Sequence, residues 1–161
     1  MRIVGIEPCS FVDWPRHIAA VLFAPGCNLD CFYCHNRHLL AEDVLPQSTK
    51  PEKVLDWLES RKGFLDGVVF SGGEPTLQRG LADFARKVRA IGYKTKLDTN
   101  GTKPDVLRSV LSEGLFDYVA MDIKASADKY DSICRCCVCQ YDIDSSIGVI
   151  MDLAPDYEFR T

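Results

Sequence analysis

Two hydrophobic patterns take turns along this chain: short apolar runs of strand length, and longer segments whose apolar residues recur at helical spacing. Ile18-Ala19-Ala20-Val21-Leu22-Phe23-Ala24 is a continuous apolar run bounded by Pro25-Gly26, the pattern of a strand buried on both faces. Pro51-Glu52 opens a predicted helix with Val54, Leu55 and Leu58 on one side and Gly63 closing it, and the strand Gly67-Val68-Val69-Phe70 follows at once. Leu77, Leu81, Phe84, Ala85, Val88 and Ile91 repeat at helical spacing, with Gly92 as a left-handed cap before the strand Tyr93-Lys94-Thr95-Lys96-Leu97. Pro104 starts another helix, with Val106, Leu107, Val110 and Leu111 inward and Gly114 ending it before the strand Tyr118-Val119-Ala120-Met121. Tyr157-Glu158-Phe159-Arg160 is a last short strand.

Strands and helices that alternate through short connections predict an α/β fold, with a sheet of about five parallel strands joined by right-handed crossovers. An open or partial (β/α) barrel is the natural shape. Such folds gather function at the C-terminal ends of their strands. Those ends carry Cys27, Cys31 and Cys34, then Ser71-Gly72-Gly73-Glu74-Pro75, then Asp98-Thr99-Asn100-Gly101, then Asp122-Ile123-Lys124. All four groups are expected to face one cavity.

The 161 residues suit one domain, 1–161, with an ordinary soluble composition of 47% hydrophobic and 26% charged residues. A formal charge of −4 without a Lys/Arg block disfavours nucleic acid and anionic membranes as partners. No apolar run approaches the roughly 20 residues of a membrane span, and the N-terminus lacks the features of a secretory leader, so a cytoplasmic location is expected. There, the eight cysteines read as metal ligands or free thiols rather than disulfides.

The loop 26–36, Gly26-Cys27-Asn28-Leu29-Asp30-Cys31-Phe32-Tyr33-Cys34-His35-Asn36, places three thiolates within eight residues. A cubane iron–sulfur cluster normally takes four cysteines, so three leave one iron open to bind something else. A zinc site is the alternative, and it would need a fourth ligand from elsewhere. His35 reads as part of the loop's hydrogen bonding or as a further ligand, His17 and His38 have no recognisable partner, and Cys9 is a spare thiol. Cys134-Arg135-Cys136-Cys137-Val138-Cys139 holds four more cysteines in six residues. Their density fits an auxiliary cluster or zinc, while their spacing, without the familiar two-residue gap, fits a variable segment with reactive thiols.

Cys27-x3-Cys31-x2-Cys34, with Tyr33 before the last cysteine, resembles the signature of radical S-adenosylmethionine enzymes, and Gly72-Gly73-Glu74-Pro75 resembles their methionine-binding motif. Asp13-Trp14-Pro15, Ser71 to Gln78, Lys96 to Gly101, Met121-Asp122-Ile123-Lys124 and Tyr157 to Thr161 resemble the anaerobic ribonucleoside-triphosphate reductase activating proteins, relatives of pyruvate formate-lyase activating enzyme. The similarity covers about residues 10 to 130, lapses in the divergent Cys-rich segment 134–145 and returns at the C-terminus. Arg16 stands where longer relatives usually have Gly.

The resemblance implies a partial barrel of the radical SAM type, short at its C-terminus. It implies a 4Fe-4S cluster on Cys27, Cys31 and Cys34 whose open iron chelates the amino and carboxylate groups of S-adenosylmethionine. One electron, from a reduced flavodoxin or ferredoxin-type donor, would cleave the cofactor to methionine and a 5′-deoxyadenosyl radical, which takes a hydrogen from a glycine of the partner enzyme, an anaerobic ribonucleotide reductase. Gly72 and Gly73 would let the backbone approach the methionine moiety, and Glu74 would offer an acceptor near its ammonium. Tyr33 would lie against the adenosyl part, or be a core aromatic. Asp98, Thr99 and Asp122 match a monovalent-cation site, and Lys124 a cofactor-contacting lysine. Against this, Asp98 reads equally as a turn cap and Lys124 as solvated.

Two other readings stay open. One keeps the cofactor chemistry but acts on a small molecule, in the manner of 7-carboxy-7-deazaguanine synthase. The other is an iron–sulfur electron carrier or a cluster-binding fragment without catalysis.

Overall fold

The computed structural model describes residues 1–40 and 48–161. Six strands form one sheet in chain order: β1 (Gly5–Ser10), β2 (Ala19–Ala24), β3 (Gly67–Gly72), β4 (Lys94–Thr99), β5 (Tyr118–Asp122) and β6 (Tyr157–Arg160). β2 to β6 are parallel, in agreement with the five expected strands. β1 pairs antiparallel to β2 and was not foreseen, because Pro8 and the weak alternation of Gly5 to Ser10 hide it. Proline is tolerated on such an edge strand, and the register there slips between Glu7 and Ser10.

Helices cover the outer face. α1 (Pro51–Ser60) and α3 (Pro104–Ser112) begin with proline in their first turn, where a missing N–H costs nothing. α1 stops at Ser60, ahead of the expected Gly63. α2 (Leu81–Ile91) ends at Gly92 as read, but Leu77 lies outside it in a short 3-10 turn, separated by Gly80, whose φ of 83° cannot continue a right-handed helix. Two helices were not expected: α4 (Tyr130–Cys134) and α5 (Gln140–Leu153). α5 turns Ile143, Ser146, Val149 and Ile150 inward, and packs on α3. The cysteine-rich stretch before it masked its periodicity.

Strand alternation sorts the two faces of the sheet. Leu22, Phe70, Leu97, Val119 and Met121 face the helices, where Phe70 meets Phe116 edge-on with ring centroids 5.3 Å apart. Trp14, Ala19, Val21 and Val69 form a smaller cluster on the concave face. Lys96 and Asp98 of β4 share strand parity with one another and so point to that concave side, as do Asp122 of β5 and its parallel neighbour Arg160 of β6.

The backbone at Arg16 is one that favours glycine. Trp14-Pro15-Arg16-His17 closes a turn through the His17 amide, which donates to the Trp14 carbonyl at 3.1 Å, and Arg16 sits at the third position with φ 63°. Proline followed by a positive φ is the pattern of a type II turn, which favours glycine at that place. The Arg16 side chain is exposed, so little packing is lost on its removal. Arg16→Gly is therefore expected to raise the unfolding free energy by roughly 0.5–1 kcal/mol, the relief of left-handed strain outweighing glycine's greater freedom in the unfolded chain. Denaturant unfolding of the two proteins checks it; a loss of stability would refute the strain argument.

Candidate functional site

A cavity of about 370 Å3 opens at the C-terminal ends of β2 to β6. Cys27, Cys31, Tyr33, Cys34, Gly72, Gly73, Glu74, Asp98, Thr99, Asp122 and Lys124 all line it, so the structure brings every expected site residue to one place. Its volume lies in the usual range for small-molecule sites, about 300–1,000 Å3.

The cysteine loop is held from several sides. The Cys34 amide donates to the Cys31 carbonyl at 3.1 Å, making a tight turn, and Arg37 pairs with Asp30 at 2.7 Å while also reaching the Cys31 carbonyl at 3.3 Å. Cys27 Sγ accepts from the Leu29 amide at 3.4 Å and from Asn100 Nδ2 at 3.5 Å. Such N–H···S bonds stabilise a thiolate and, in an iron–sulfur site, tune its potential. Burial pushes the Cys27 thiol up to about 11, so ligation there must displace a proton.

The glycine pair packs against this loop. The Gly73 amide donates to the Ala24 carbonyl and the Glu74 amide to the Gly26 carbonyl, each at 2.8 Å. A Cβ on Gly73 would come within 2.0 Å of the Gly26 carbonyl oxygen, and one on Gly72 within 2.5 Å of the Ala24 nitrogen. The observed close approach is thus between two protein segments. Glycine at these positions is required by the cysteine loop before any ligand is considered.

Glu74 is almost fully buried, with both carboxylate oxygens engaged. Oε1 accepts from the Thr76 amide at 3.0 Å, the Thr76 hydroxyl at 2.5 Å and the Thr99 hydroxyl at 2.9 Å, and Oε2 accepts from the Asn100 amide at 2.7 Å. Burial pushes its carboxyl upward while these four donors oppose the shift. Glu74 braces the end of β3 against the end of β4.

The charged groups lie farther along the concave face. Asp98 accepts from Ser71 at 2.9 Å through Oδ2, whereas Oδ1 has no hydrogen-bond partner among the described residues, with Lys96 Nζ 3.3 Å and Arg160 Nη1 3.7 Å away. Burial raises the Asp98 carboxyl above its ordinary value. Asp122 is held by Lys124 Nζ and by Arg160 Nε, both at 2.8 Å. Burial pushes Asp122 upward, but the two cations outweigh it and hold the carboxyl below its usual range. Lys96 is itself sealed from water, donating to the Asp13 carbonyl and lying 3.5 Å from Glu158.

The model of the Radical SAM superfamily matches residues 21–138. The chain belongs to the radical SAM superfamily. It is 37% identical over 94% of its length to a protein of Methanocaldococcus jannaschii named for activation of glycyl-radical enzymes, of which it covers 62%. It is 35% identical over 76% of its length to the pyruvate formate-lyase-activating enzyme of Clostridium pasteurianum, covering 52% of that protein. A Pyrococcus abyssi protein named for GTP 3′,8-cyclisation is 33% identical over 60% of the chain, covering 31% of that protein, so relatives with different substrates share this region. The fold matches that of anSMEcpe with bound AdoMet, with a TM-score of 0.61, 20% identity, and coverage of 84% of this chain and 40% of that one. The chain thus spans about half to three fifths of the length of the two activating relatives.

As a radical SAM protein, the chain would bind an iron–sulfur cluster, and its donor set suits one. Among the described residues no three His, Cys, Asp or Glu side chains gather closely enough for a single metal ion. A cubane spreads its thiolates around a larger body than one ion does, and Cys27, Cys31 and Cys34 share one cavity wall-to-wall with the glycine pair. The four cysteines of the second group differ in exposure: Cys134 is buried, Cys136 half-buried, and Cys137 and Cys139 exposed. Tyr33 is 43% exposed at the cavity, not a core aromatic. Asp98 does not cap the turn before α3, and Lys124 is ion-paired rather than solvated.

Asn28, Ser71, Lys96, Asn100, Arg160 and Cys134 shape the site without a signal of their own in the sequence. Only distant partners reveal their parts: Ser71 meets Asp98 27 residues away, Asn100 meets Cys27 73 residues away, and Cys134 meets Cys31 103 residues away.

Two outcomes are expected. Glu74→Gln places an amide among four donors, leaving at least one unsatisfied, and should lower the unfolding free energy by about 1–3 kcal/mol. Chemical denaturation measures it, and an unchanged midpoint would refute the brace. For Asp122, the depressed folded value gives stability that is complete above the unfolded value near 3.9 and lost as pH falls through the lower folded value. Asp122→Asn should therefore be less stable than wild type at about pH 7, with the gap closing toward about pH 2. A gap independent of pH would refute the ion-pair account.

Proposed function

We propose that this chain carries the cluster and cofactor site of a radical SAM activase that installs a glycyl radical on a partner enzyme, an anaerobic ribonucleotide reductase. The observation that supports it most directly is the joining of the cysteine loop to the Gly72-Gly73 pair at the mouth of β2 and β3, with Asp98, Asp122 and Lys124 in the same cavity. The relatives named for glycyl-radical enzyme and pyruvate formate-lyase activation support the reaction class.

In this reading, a 4Fe-4S cluster with one open iron supplies the electron that cleaves S-adenosylmethionine reductively. Cys27, Cys31 and Cys34 hold the cluster, and Asn100 and the Leu29 amide stabilise the Cys27 sulfur. Tyr33 and Thr99 line the cofactor's place beside the glycine pair. Glu74 lines the same cavity with its two oxygens engaged by four donors, and its negative charge favours the cofactor ammonium at the glycine pair. Lys124 neutralises the cofactor carboxylate, and Asp122 fixes Lys124 in place. Lys96, Lys124 and Arg160 face Asp98, Asp122 and Glu158, so a cofactor carboxylate adds one negative charge that a monovalent cation at Asp98, Thr99 and Asp122 would balance. The electron donor is a reduced flavodoxin or ferredoxin. No helix among the described residues is long and apolar enough to cross a membrane.

Anaerobic reconstitution with iron and sulfide, followed by S-adenosylmethionine and a chemical reductant, should release 5′-deoxyadenosine, and Cys27→Ala, Cys31→Ala or Cys34→Ala should reduce it to background. Product no higher than background from the wild type would remove the catalytic reading. Adding the reductase should give a glycyl radical signal on that protein by electron paramagnetic resonance. Cofactor cleavage without that signal would favour a small-molecule substrate.

A further inference from the structure

Cys134 lies where no reading of the second cysteine group placed it. Its sulfur is 3.7 Å from that of Cys31, the middle ligand of the cysteine loop, and both residues are buried. The contact is fixed by backbone. The Asp30 amide donates to the Cys134 carbonyl at 2.9 Å and the Phe32 amide to the Ile133 carbonyl at 3.3 Å, so the residues on both sides of Cys31 are bonded to the end of α4. Cys136 adds a contact from its thiol to the Asn28 carbonyl at 3.6 Å. Arg135 turns the chain sharply after Cys134 with φ 53°, an unfavourable conformation for a side-chain-bearing residue. Three polar contacts thus dock 133–136 onto the loop 28–32.

The geometry points to a reversible disulfide between Cys31 and Cys134, formed when the cluster is lost and a peroxide is present, that locks the ligand loop and shields Cys31 from further oxidation. The coupling to the cluster rests on the proposed assignment of Cys31 as a ligand; the disulfide itself does not. Cys31 lines the cavity and is reachable by a small oxidant. Its thiol is oxidised by hydrogen peroxide to a sulfenic acid with release of one water, and the Cys134 thiol condenses with that acid, forming the S–S bond and releasing a second water. Two electrons pass from the sulfur pair to the peroxide. A dithiol reverses the step by exchange, itself becoming a disulfide. To reach bonding distance the sulfurs close by less than about 2 Å. Left as a sulfenic acid without a neighbour, Cys31 would be oxidised by a second hydrogen peroxide to the irreversible sulfinic state, with release of another water.

The test treats the full chain, purified without air and stripped of iron, with one equivalent of hydrogen peroxide. Free thiols are alkylated, the chain is digested, and linked peptides are identified by mass spectrometry. The expected product is a Cys31–Cys134 peptide two hydrogens lighter than its parts and abolished by dithiothreitol. Oxidised protein should take up several-fold less iron than reduced protein, with uptake restored by dithiothreitol. In Cys134→Ala, and independently in Cys134→Ser, reduced protein should take up iron normally, while a several-fold excess of peroxide, the second equivalent oxidising the sulfenic acid, should leave Cys31 as the sulfinic acid, unrecoverable by dithiothreitol, where wild type under the same excess keeps the Cys31–Cys134 linkage. Linkage of Cys31 to Cys27 or Cys34, or no linkage at all, would overturn the proposal. Linkage with undiminished iron uptake would keep the disulfide but overturn its role as a lock. If reduced wild type took up no iron, the ligand assignment would fail, while the linked peptide would still be read independently.

Discussion

The carboxylate of Glu74 is buried at the junction of three strand ends, where an unpaired charge would be far too costly to keep. Four donors make it tolerable, and each comes from a segment that the site needs: Thr76 from the turn after β3, Thr99 and Asn100 from the end of β4. Asn100, positioned by this bond, donates onward to Cys27 Sγ and to Asn28 Oδ1. The adjoining Gly73 and Glu74 amides bind the carbonyls of Ala24 and Gly26. The cysteine loop, the glycine pair and the β4 end are therefore one hydrogen-bonded unit, in which no part keeps its place without the others.

That unit sits on a sheet whose two faces have opposite tasks. The helix side is apolar and aromatic around Phe70, which makes the strands rigid supports. The concave side begins with Trp14, Val21 and Val69 and becomes charged toward the strand ends, where Asp98 and Asp122 are balanced by Lys96, Lys124 and Arg160. The balance is uneven in a useful way. Asp122 has two cations at 2.8 Å that outweigh its burial, whereas the cations facing Asp98 stand at 3.3 and 3.7 Å and its deeper burial wins, so the two carboxyls are pushed in opposite directions. Rigid strands fix where these side chains begin, and ion pairs fix where they end.

The alternation of apolar runs and helical periods determined by itself that β2 to β6 form a parallel sheet, that proline opens α1 and α3, and that the cysteines, glycines and aspartates gather at one end. Those features are local: strand length, a cap or a fixed φ depends on neighbours in the chain. β1 and α5 were illegible because Pro8 and the cysteines of 134–139 blurred their periods, and pairing across the sheet or packing on α3 supplied the missing stabilisation.

Only the tertiary structure decided what the polar residues do. Gly72 and Gly73 were visible as a motif, yet their need to clear the Gly26 and Ala24 backbone is a contact between segments nearly fifty residues apart. Glu74 was legible as a cofactor contact, yet its bracing of β3 against β4 was not; Cys134 looked like part of a separate group and lies against Cys31. A side chain's partners depend on which strands and helices become neighbours, and that is set by the packing of the whole sheet rather than by any stretch of sequence. Residue types announced the chemistry at this end of the barrel, and long-range contacts assigned each residue its part in it.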